Sequence, residues 1–505
     1  MADDSDVIIV GGGTAGSLCA RRIVECTGAS VLVIEAGPPY PAWALGAPLA
    51  SYRLSSPWSW EHRSVPQAAL DGRRIRYPMG RVLGGSSSVN AMIAAPGPAA
   101  DYDAWAAEGC AGWDWASLEP CWRRTTDQRR ASAVAVTGPS FTSPFTDALI
   151  NACVDHGLTV VDSLTGERSQ TCGRFALFQR NGKRYSTAAV LAARVPGGRL
   201  RVMSRVTVCR LLFDGDRAVG VECGDCRGRF RVHCRVGIVL SAGTFGTPSI
   251  LLRSGIGPAA AIRAAGIEPR YDLPGVGENL QDHVGVPTVW GSRVPSPGRK
   301  SRWIPAAIRY ALSGTGVMCS NGCEGGAFLG PAGRSPELEI AALFQTRVRR
   351  RAVEISAILM HPRSRGVVAL DPGDPFGPPR IDPRFLSASD DCRRLAQGVD
   401  IIREIASRPS LRRFGLGDEI LPGRMDHTEH LRRHASTHFH PVGTCRMGRD
   451  ADAVVSPSLA VHGTRNLWVC DNSVVPVLPA GHSAATAMII GERGADLISR
   501  AVATG

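Results

Sequence analysis

The first residues whose spacing implies chemistry are Gly11, Gly13 and Gly16, in the run Gly11-Gly12-Gly13-Thr14-Ala15-Gly16. An apolar segment, Asp6-Val7-Ile8-Ile9-Val10, precedes them. A segment with helical apolar spacing, Ser17 to Val24, follows. In such a turn the first glycine permits the reversal and the second lets backbone N–H groups approach a pyrophosphate. The third lets the helix sit close to the strand, and the helix N-terminus adds the positive end of its dipole. Thr14 and Ala15 open that helix beside the phosphate position. A second apolar run, Val31 to Ile34, ends on Glu35, an acceptor for both hydroxyls of an adenosine ribose. A carboxylate there disfavours a 2′-phosphate, which argues against NADP. Strand, turn, helix and acid together read as a dinucleotide site. They do not separate FAD from NAD.

A second loop, Gly80-Arg81-Val82-Leu83-Gly84-Gly85-Ser86-Ser87-Ser88, has the N–H and O–H groups to face a diphosphate or a flavin edge. Other patterns read more plainly. Cys223-Gly224-Asp225-Cys226 has redox or zinc spacing, but no second CxxC completes a zinc site, and the pair flanks a Gly-Asp turn in a β-meander. Cys319 and Cys323 could face a common ligand. His427, His430 and His434 have helical spacing without a partnering carboxylate or cysteine, so they read as a solvated helix face and no metal site is assigned. Ser254-Gly255-Ile256-Gly257 reads as a helix stop.

These residues need a scaffold of some size. The chain has 505 residues, 44% of them hydrophobic, enough for about two or three domains. Its formal charge is +13, from 58 basic and 45 acidic residues, yet Lys183 and Lys300 are its only lysines. Scattered arginine without a long like-charge run argues against nucleic-acid binding. The surplus would favour an anionic substrate or a phosphate-bearing cofactor, and Arg347, Arg349, Arg350 and Arg351 could accept an acidic group. No stretch approaches the roughly 18 apolar residues of a membrane span. The acidic start, Met1-Ala2-Asp3-Asp4-Ser5-Asp6, is unlike a secretory signal, so a cytoplasmic protein is expected. The 15 cysteines then read mostly as small buried hydrophobes.

Along the chain, residues 38–78 read as a long covering segment and 101–125 as helical, with Trp105, Trp113, Trp115 and Trp122 for packing. Residues 199–237 read as strand, turn, strand. Gly237 to Leu240 is a buried strand ending in Ser241-Ala242-Gly243. Short strands and Pro-rich turns over 284–435 argue for a second, antiparallel-rich domain. A last strand, Asn466 to Cys470, leads to Asp471, and a helix from about Ser483 to Ser499 closes the chain. Because the first and last units share one character, the cofactor domain is expected to be discontinuous.

Four blocks decide between the cofactors. Gly80 to Asn90, continuing through Ala94, Gly97 and Asp103, resembles the first signature of the glucose–methanol–choline (GMC) oxidoreductases. Gly243-Thr244-x-x-Thr247-Pro248-x-Ile250-Leu251-x-x-Ser254-Gly255-Ile256-Gly257 is similar to the second. Gly275 to His283 and His440-Pro441-Val442-Gly443-Thr444-Cys445-Arg446-Met447-Gly448 look like two further family blocks, in family order. The resemblance implies an α/β, Rossmann-like FAD-binding domain over 1–97, 160–283 and 455–505. It also implies an α+β substrate domain with an antiparallel sheet over 98–159 and 284–454. It further implies FAD-dependent oxidation of an alcohol to an aldehyde or ketone, with base-assisted hydride transfer to flavin N5. Oxygen or another acceptor would then reoxidise the flavin. A lyase, a decarboxylase or a non-catalytic flavin protein on the same fold is the alternative.

By that resemblance His440 is the catalytic base and His482, just before the last helix, its partner. A neutral imidazole suits the first role, since the hydroxyl proton must leave as the C–H bond breaks. Two imidazoles converging on one oxygen would hold it in place. The family run around His482 is usually richer in Asn; this chain has His482 and Ala484. The implied flavin contacts are Gly11, Gly13, Thr14, Ala15, Gly16, Glu35, Ala36, Arg81, Gly84, Gly85, Ser86, Ser87, Asn90, Met92, Val206, Ala242, Gly243, Asp471, Ala480, His482 and Ser483. Val89 stands where some members attach the flavin through a histidine, so FAD is expected to be non-covalent. His438 and Phe439 are candidate substrate contacts; on a strand His438 and His440 would share one face.

Overall fold

The computed structural model describes residues 5–49, 56–130, 133–192, 196–293, 303–343 and 352–504. Arg347, Arg349, Arg350 and Arg351 lie outside the described residues.

Strands Ser5–Val10 and Val31–Glu35 run parallel, joined by the helix Thr14–Thr27. Val7 to Val10 and Val31 to Ile34 are at most 5% exposed, because helices and loops cover both faces of this parallel sheet. On one side the sheet continues to Leu200–Ser204. On the other it continues to the last part of Gly228–Leu240 and then to Leu467–Val469, all parallel. Gly228–Leu240 is long: its first half instead pairs antiparallel with Arg217–Asp225, which pairs with Thr207–Asp214. The closing helix Ser483–Thr504 packs on Thr14–Thr27. A Cβ at Gly491 would stand 2.6 Å from the Ala15 carbonyl, so the helices touch backbone to backbone. Arg22 and Glu492, both nearly buried, join them at 3.1 Å.

The second sheet runs in the order Leu416–Leu421, Val284–Ser292, Ala352–Leu359, Leu338–Leu343, Gly325–Leu329, Thr171–Phe175, Thr159–Leu164. All its neighbours are antiparallel except the last pair. Helices Pro144–Asp155 and Ser389–Ala406 back one face. On the other, the two-residue period brings Glu339, Ala341 and Leu343 beside Ile358, Ser356 and Glu354.

The domain boundaries read from sequence are corrected in two places. Residues 160–164 and Thr171–Phe175 were assigned to the cofactor unit, but strands Thr159–Leu164 and Thr171–Phe175 pair with each other and the latter joins the second sheet at Gly325–Leu329. Helices Ala99–Ala107 and Trp115–Thr126 were assigned to the second unit. They and the turn between them bury Tyr102, Trp105, Trp113 and Leu118 in the core of the first sheet. The indole N–H groups of Trp105 and Trp113 donate to the Val477 and Pro457 carbonyls, which fixes them there.

Three smaller readings also change. Asp225 pairs with Gly228, so the hairpin turn is Cys226-Arg227, with Cys223 buried and Cys226 exposed. His430, expected on a solvated face, is fully buried with Nε2 2.9 Å from the Pro287 carbonyl. Phe439 takes φ +64°, so the extended run stops at Ser436–Thr437 and His438 and His440 are not placed by strand alternation. Among the described residues no helix is long and apolar enough to cross a membrane.

Candidate active site

A cavity of about 1970 Å³ lies between the glycine turns and the second sheet. Most single-ligand pockets are roughly 300–1,000 Å³, so this one has room for a dinucleotide and a substrate.

Its deep arm is built by the two glycine loops. Gly11 takes φ +104°, and a Cβ there would stand 2.3 Å from the Ser241 carbonyl. A Cβ on Gly85 would come 2.7 Å from the Gly13 Cα, so the loops face each other across a gap that only glycines leave open. Glu35 sits at the end of this arm. Its Oε2 accepts from Gly12 N (2.9 Å) and its Oε1 from Gly37 N (2.7 Å). Burial pushes its carboxyl up to about 7 against those bonds. The arm thus offers free N–H groups at a helix N-terminus and a fixed acceptor one strand away, the donor set a dinucleotide requires.

Gly11, Gly13, Thr14, Ala15, Glu35, Ala36, Gly85, Ser86, Val89, Asn90, Met92, Val206, Ala242, Gly243, Asp471 and Ser483 line this cavity, with His438, Phe439, His440 and His482. Gly16, Arg81, Gly84, Ser87 and Ala480 stand behind its wall. Gly16 makes room for the Gly11 carbonyl, 2.1 Å from where its Cβ would be. Arg81 lies over the Trp60 ring at 4.4 Å. The Ser87 hydroxyl donates to the Gly84 carbonyl and meets Ser186 and Thr187, while Ser88 bonds the Leu83 carbonyl and Ser186. Those two hydroxyls therefore brace the loop rather than face a ligand, contrary to the expectation from sequence. Asp471 accepts from Gly243 N (2.9 Å), the Thr247 hydroxyl (2.6 Å) and Ser473 N (2.8 Å), which fixes the turn that opens helix Gly243–Arg253. Asn90 is held through Oδ1 by Met92 N and Arg184.

The other arm holds the imidazoles. His440 donates its backbone N–H to Asp282 at 2.8 Å, and the Thr437 hydroxyl donates to the same carboxylate. Burial raises Asp282 to about 7. His440 Nδ1 lies 2.9 Å from Nδ1 of His283, which is fully buried. Burial is the main cause that holds both rings neutral, well below the ordinary histidine range, and neighbouring imidazoles add to it. The His482 ring meets that of His440 edge-on, with centroids 4.8 Å apart and planes at 76°. Its backbone N–H donates to the Ala95 carbonyl at 2.7 Å. Its Nε2 lies 3.3 Å from Oε1 and 3.2 Å from Oε2 of Glu339, a side chain 1% exposed. His438 fits because position 285 is glycine; a Cβ there would stand 2.4 Å from His438 Nε2.

Asp282, His283 and Glu339 had no role in the sequence reading. The first two lie in the block Gly275 to His283, whose run Gln281-Asp282-His283 held the signal. Glu339 was legible only as a lone carboxylate in an apolar strand. Cys319 and Cys323 do not act together: the Cys319 thiol donates to the Gly314 carbonyl, while Cys323 lines the cavity.

Two GMC oxidoreductase family models match this chain, over residues 5–285 and 362–491. The chain belongs to the GMC oxidoreductases. It is 31% identical to an alcohol dehydrogenase (acceptor) of Pseudomonas putida, across 98% of this chain and 96% of that one. It is 32% identical to an oxygen-dependent choline dehydrogenase of Pseudomonas putida, across 99% and 94%. Among solved structures it superposes on pyridoxine 4-oxidase from Mesorbium loti with TM-score 0.88 and 29% identity, over 98% and 99% of the two chains. A fungal aryl-alcohol oxidase gives TM-score 0.86 and 27% identity over 99% of each. The fold is thus the GMC fold, a Rossmann-like FAD unit with an antiparallel substrate unit, and the chain is an FAD-dependent alcohol oxidoreductase.

Proposed function

We propose that His440 is the base that removes the hydroxyl proton of an alcohol in this cavity, with His482 holding the same oxygen. The observation that carries this is the edge-on contact of the two imidazoles at the cavity wall. Burial keeps His440 neutral. For Nε2 of His440 to take that proton, the neutral ring must carry its own N–H on Nδ1, where Nδ1 of His283 at 2.9 Å accepts it. His440 then donates through Nδ1 and presents the bare Nε2 to the hydroxyl. FAD, when bound, supplies the acceptor for the hydride that leaves the carbinol carbon. The product is an aldehyde or ketone, and oxygen or another acceptor closes the cycle.

Glycines 11, 13 and 85 and Glu35 would hold the diphosphate and adenosine ribose, and Asn90, Met92 and His482 the flavin side. Val89 lines the cavity and offers no nucleophile for attachment. Acid precipitation is therefore expected to release all the yellow colour into the supernatant; colour retained in the pellet would overturn non-covalent binding. All 15 cysteines are free thiols, which supports a reducing, cytoplasmic compartment.

Glu339 and Glu354 give the substrate side an acidic wall. This supports an alcohol bearing a hydrogen-bond donor or positive charge over the anionic substrate that net charge suggested. An anaerobic screen of amino-alcohols, pyridine alcohols, neutral aryl alcohols and hydroxy acids tests both points. Flavin bleaching by the first two groups and not by hydroxy acids is the expected result. No bleaching by any alcohol would overturn the function.

The pH profile tests the base. Because the His440 pKa is depressed, protonation that removes the base starts only at more acid pH. The acid limb of flavin reduction is expected below about 6.5, the ordinary histidine value. A limb above that value would rule out a buried neutral base.

A further inference from the structure

The outer face of helix Trp303–Ser313 is apolar and uncovered. Ile304, Ile308 and Leu312 are 73%, 55% and 84% exposed, one stripe at four-residue spacing. The inner face packs Ala306 and Tyr310 onto Leu49 and Met318, and the Tyr310 hydroxyl reaches the Gly46 and Gly182 carbonyls. Trp43, 84% exposed, rises from the short helix Ala42–Leu45 that ends at Gly46. Four of the nine large apolar side chains exposed among the described residues therefore share one side of the molecule. Soluble monomers seldom leave such a group open without an occupant.

The charge around it has one sign. Exposed Lys183 follows Gly182, and Arg309 is exposed on the helix itself. In sequence, Arg299, Lys300 and Arg302 precede the helix. No Asp or Glu occurs from residue 303 to 323, nor from 36 to 49, the described segments that form the patch.

We propose that this face docks on an anionic lipid bilayer. Ile304, Ile308, Leu312 and Trp43 enter the boundary between headgroups and acyl chains, and the basic side chains meet the headgroups. A second copy fits less well, because a two-fold contact would set the basic collar against itself.

The test is co-sedimentation of the full-length holoenzyme with vesicles of equal parts phosphatidylcholine and phosphatidylglycerol, against phosphatidylcholine alone. Binding is expected to the anionic vesicles only, and to weaken at about 0.5 M salt, where screening is strong. Ile308→Glu with Leu312→Glu should lower the bound fraction roughly tenfold or more, since two inserted apolar groups become charges. Alcohol oxidation in solution should be unchanged. Trp43→Ser, on a different element, should weaken binding independently. The proposal falls if the native enzyme ignores anionic vesicles, or if the double variant binds as well. It also falls if light scattering instead shows a vesicle-indifferent dimer that the double variant dissociates.

Discussion

Replacing His440 with alanine is expected to slow anaerobic flavin reduction by an alcohol by about 10²-fold or more, the scale of a lost general base. The expectation rests on placement as well as residue type. His440 is fixed at its backbone by Asp282 and at Nδ1 by His283, so only Nε2 is left for substrate. Its backbone N–H bond to Asp282 survives the substitution, so the loop and the flavin content should survive too. With the imidazole gone, solvent hydroxide is the remaining base, and the deficit should narrow as pH rises. Stopped-flow absorbance of the oxidised flavin, in the native enzyme and in His440→Ala across pH, measures both. An unchanged rate would remove His440 from the chemistry. A uniform deficit at every pH would leave it a packing role.

What the sequence revealed divides by the range of the interaction. The turn at Gly11, Gly13 and Gly16 is a local constraint, since the backbone reversal and the close helix demand glycine within six residues. Glu35 follows from the length of one strand–helix–strand unit. His440 and His482 lie far apart in sequence and were legible only through resemblance, because nothing local distinguishes them from the chain's other histidines. The pairing of Thr171–Phe175 with Gly325–Leu329 is likewise invisible locally, and so the second sheet claimed strands that order along the chain had given to the first. Ser87 and Ser88 misled for a related reason. Their partners Ser186 and Thr187 arrive from about a hundred residues away and take the hydroxyls that the loop seemed to offer a ligand.

Glu339 is where a long-range contact bears most directly on rate. Glu339→Ala is expected to slow flavin reduction by about 10–10²-fold, because an imidazole that loses its fixed partner is misplaced by a fraction of an ångström to an ångström. The carboxylate fixes the tilt of His482, whose Nε2 lies 3.3 Å from Oε1. Glu339→Gln keeps an amide oxygen in the same place beside Nε2, so it should recover most of the rate if orientation is the role. The Glu339 Oε2 atom is buried without a hydrogen bond among the described residues, although it lies 3.2 Å from His482. The Glu339 side chain lines the cavity, so its charge faces a cationic substrate. In substrate binding the two variants agree: a substrate amine or ammonium loses a charged partner in Glu339→Gln as well as in Glu339→Ala. KM for a cationic alcohol should rise in both variants while kcat recovers only in Gln. A neutral alcohol should show the kcat effect alone. If Gln and Ala reduce kcat equally, the negative charge and not the geometry of Glu339 sets the rate, and its role is electrostatic.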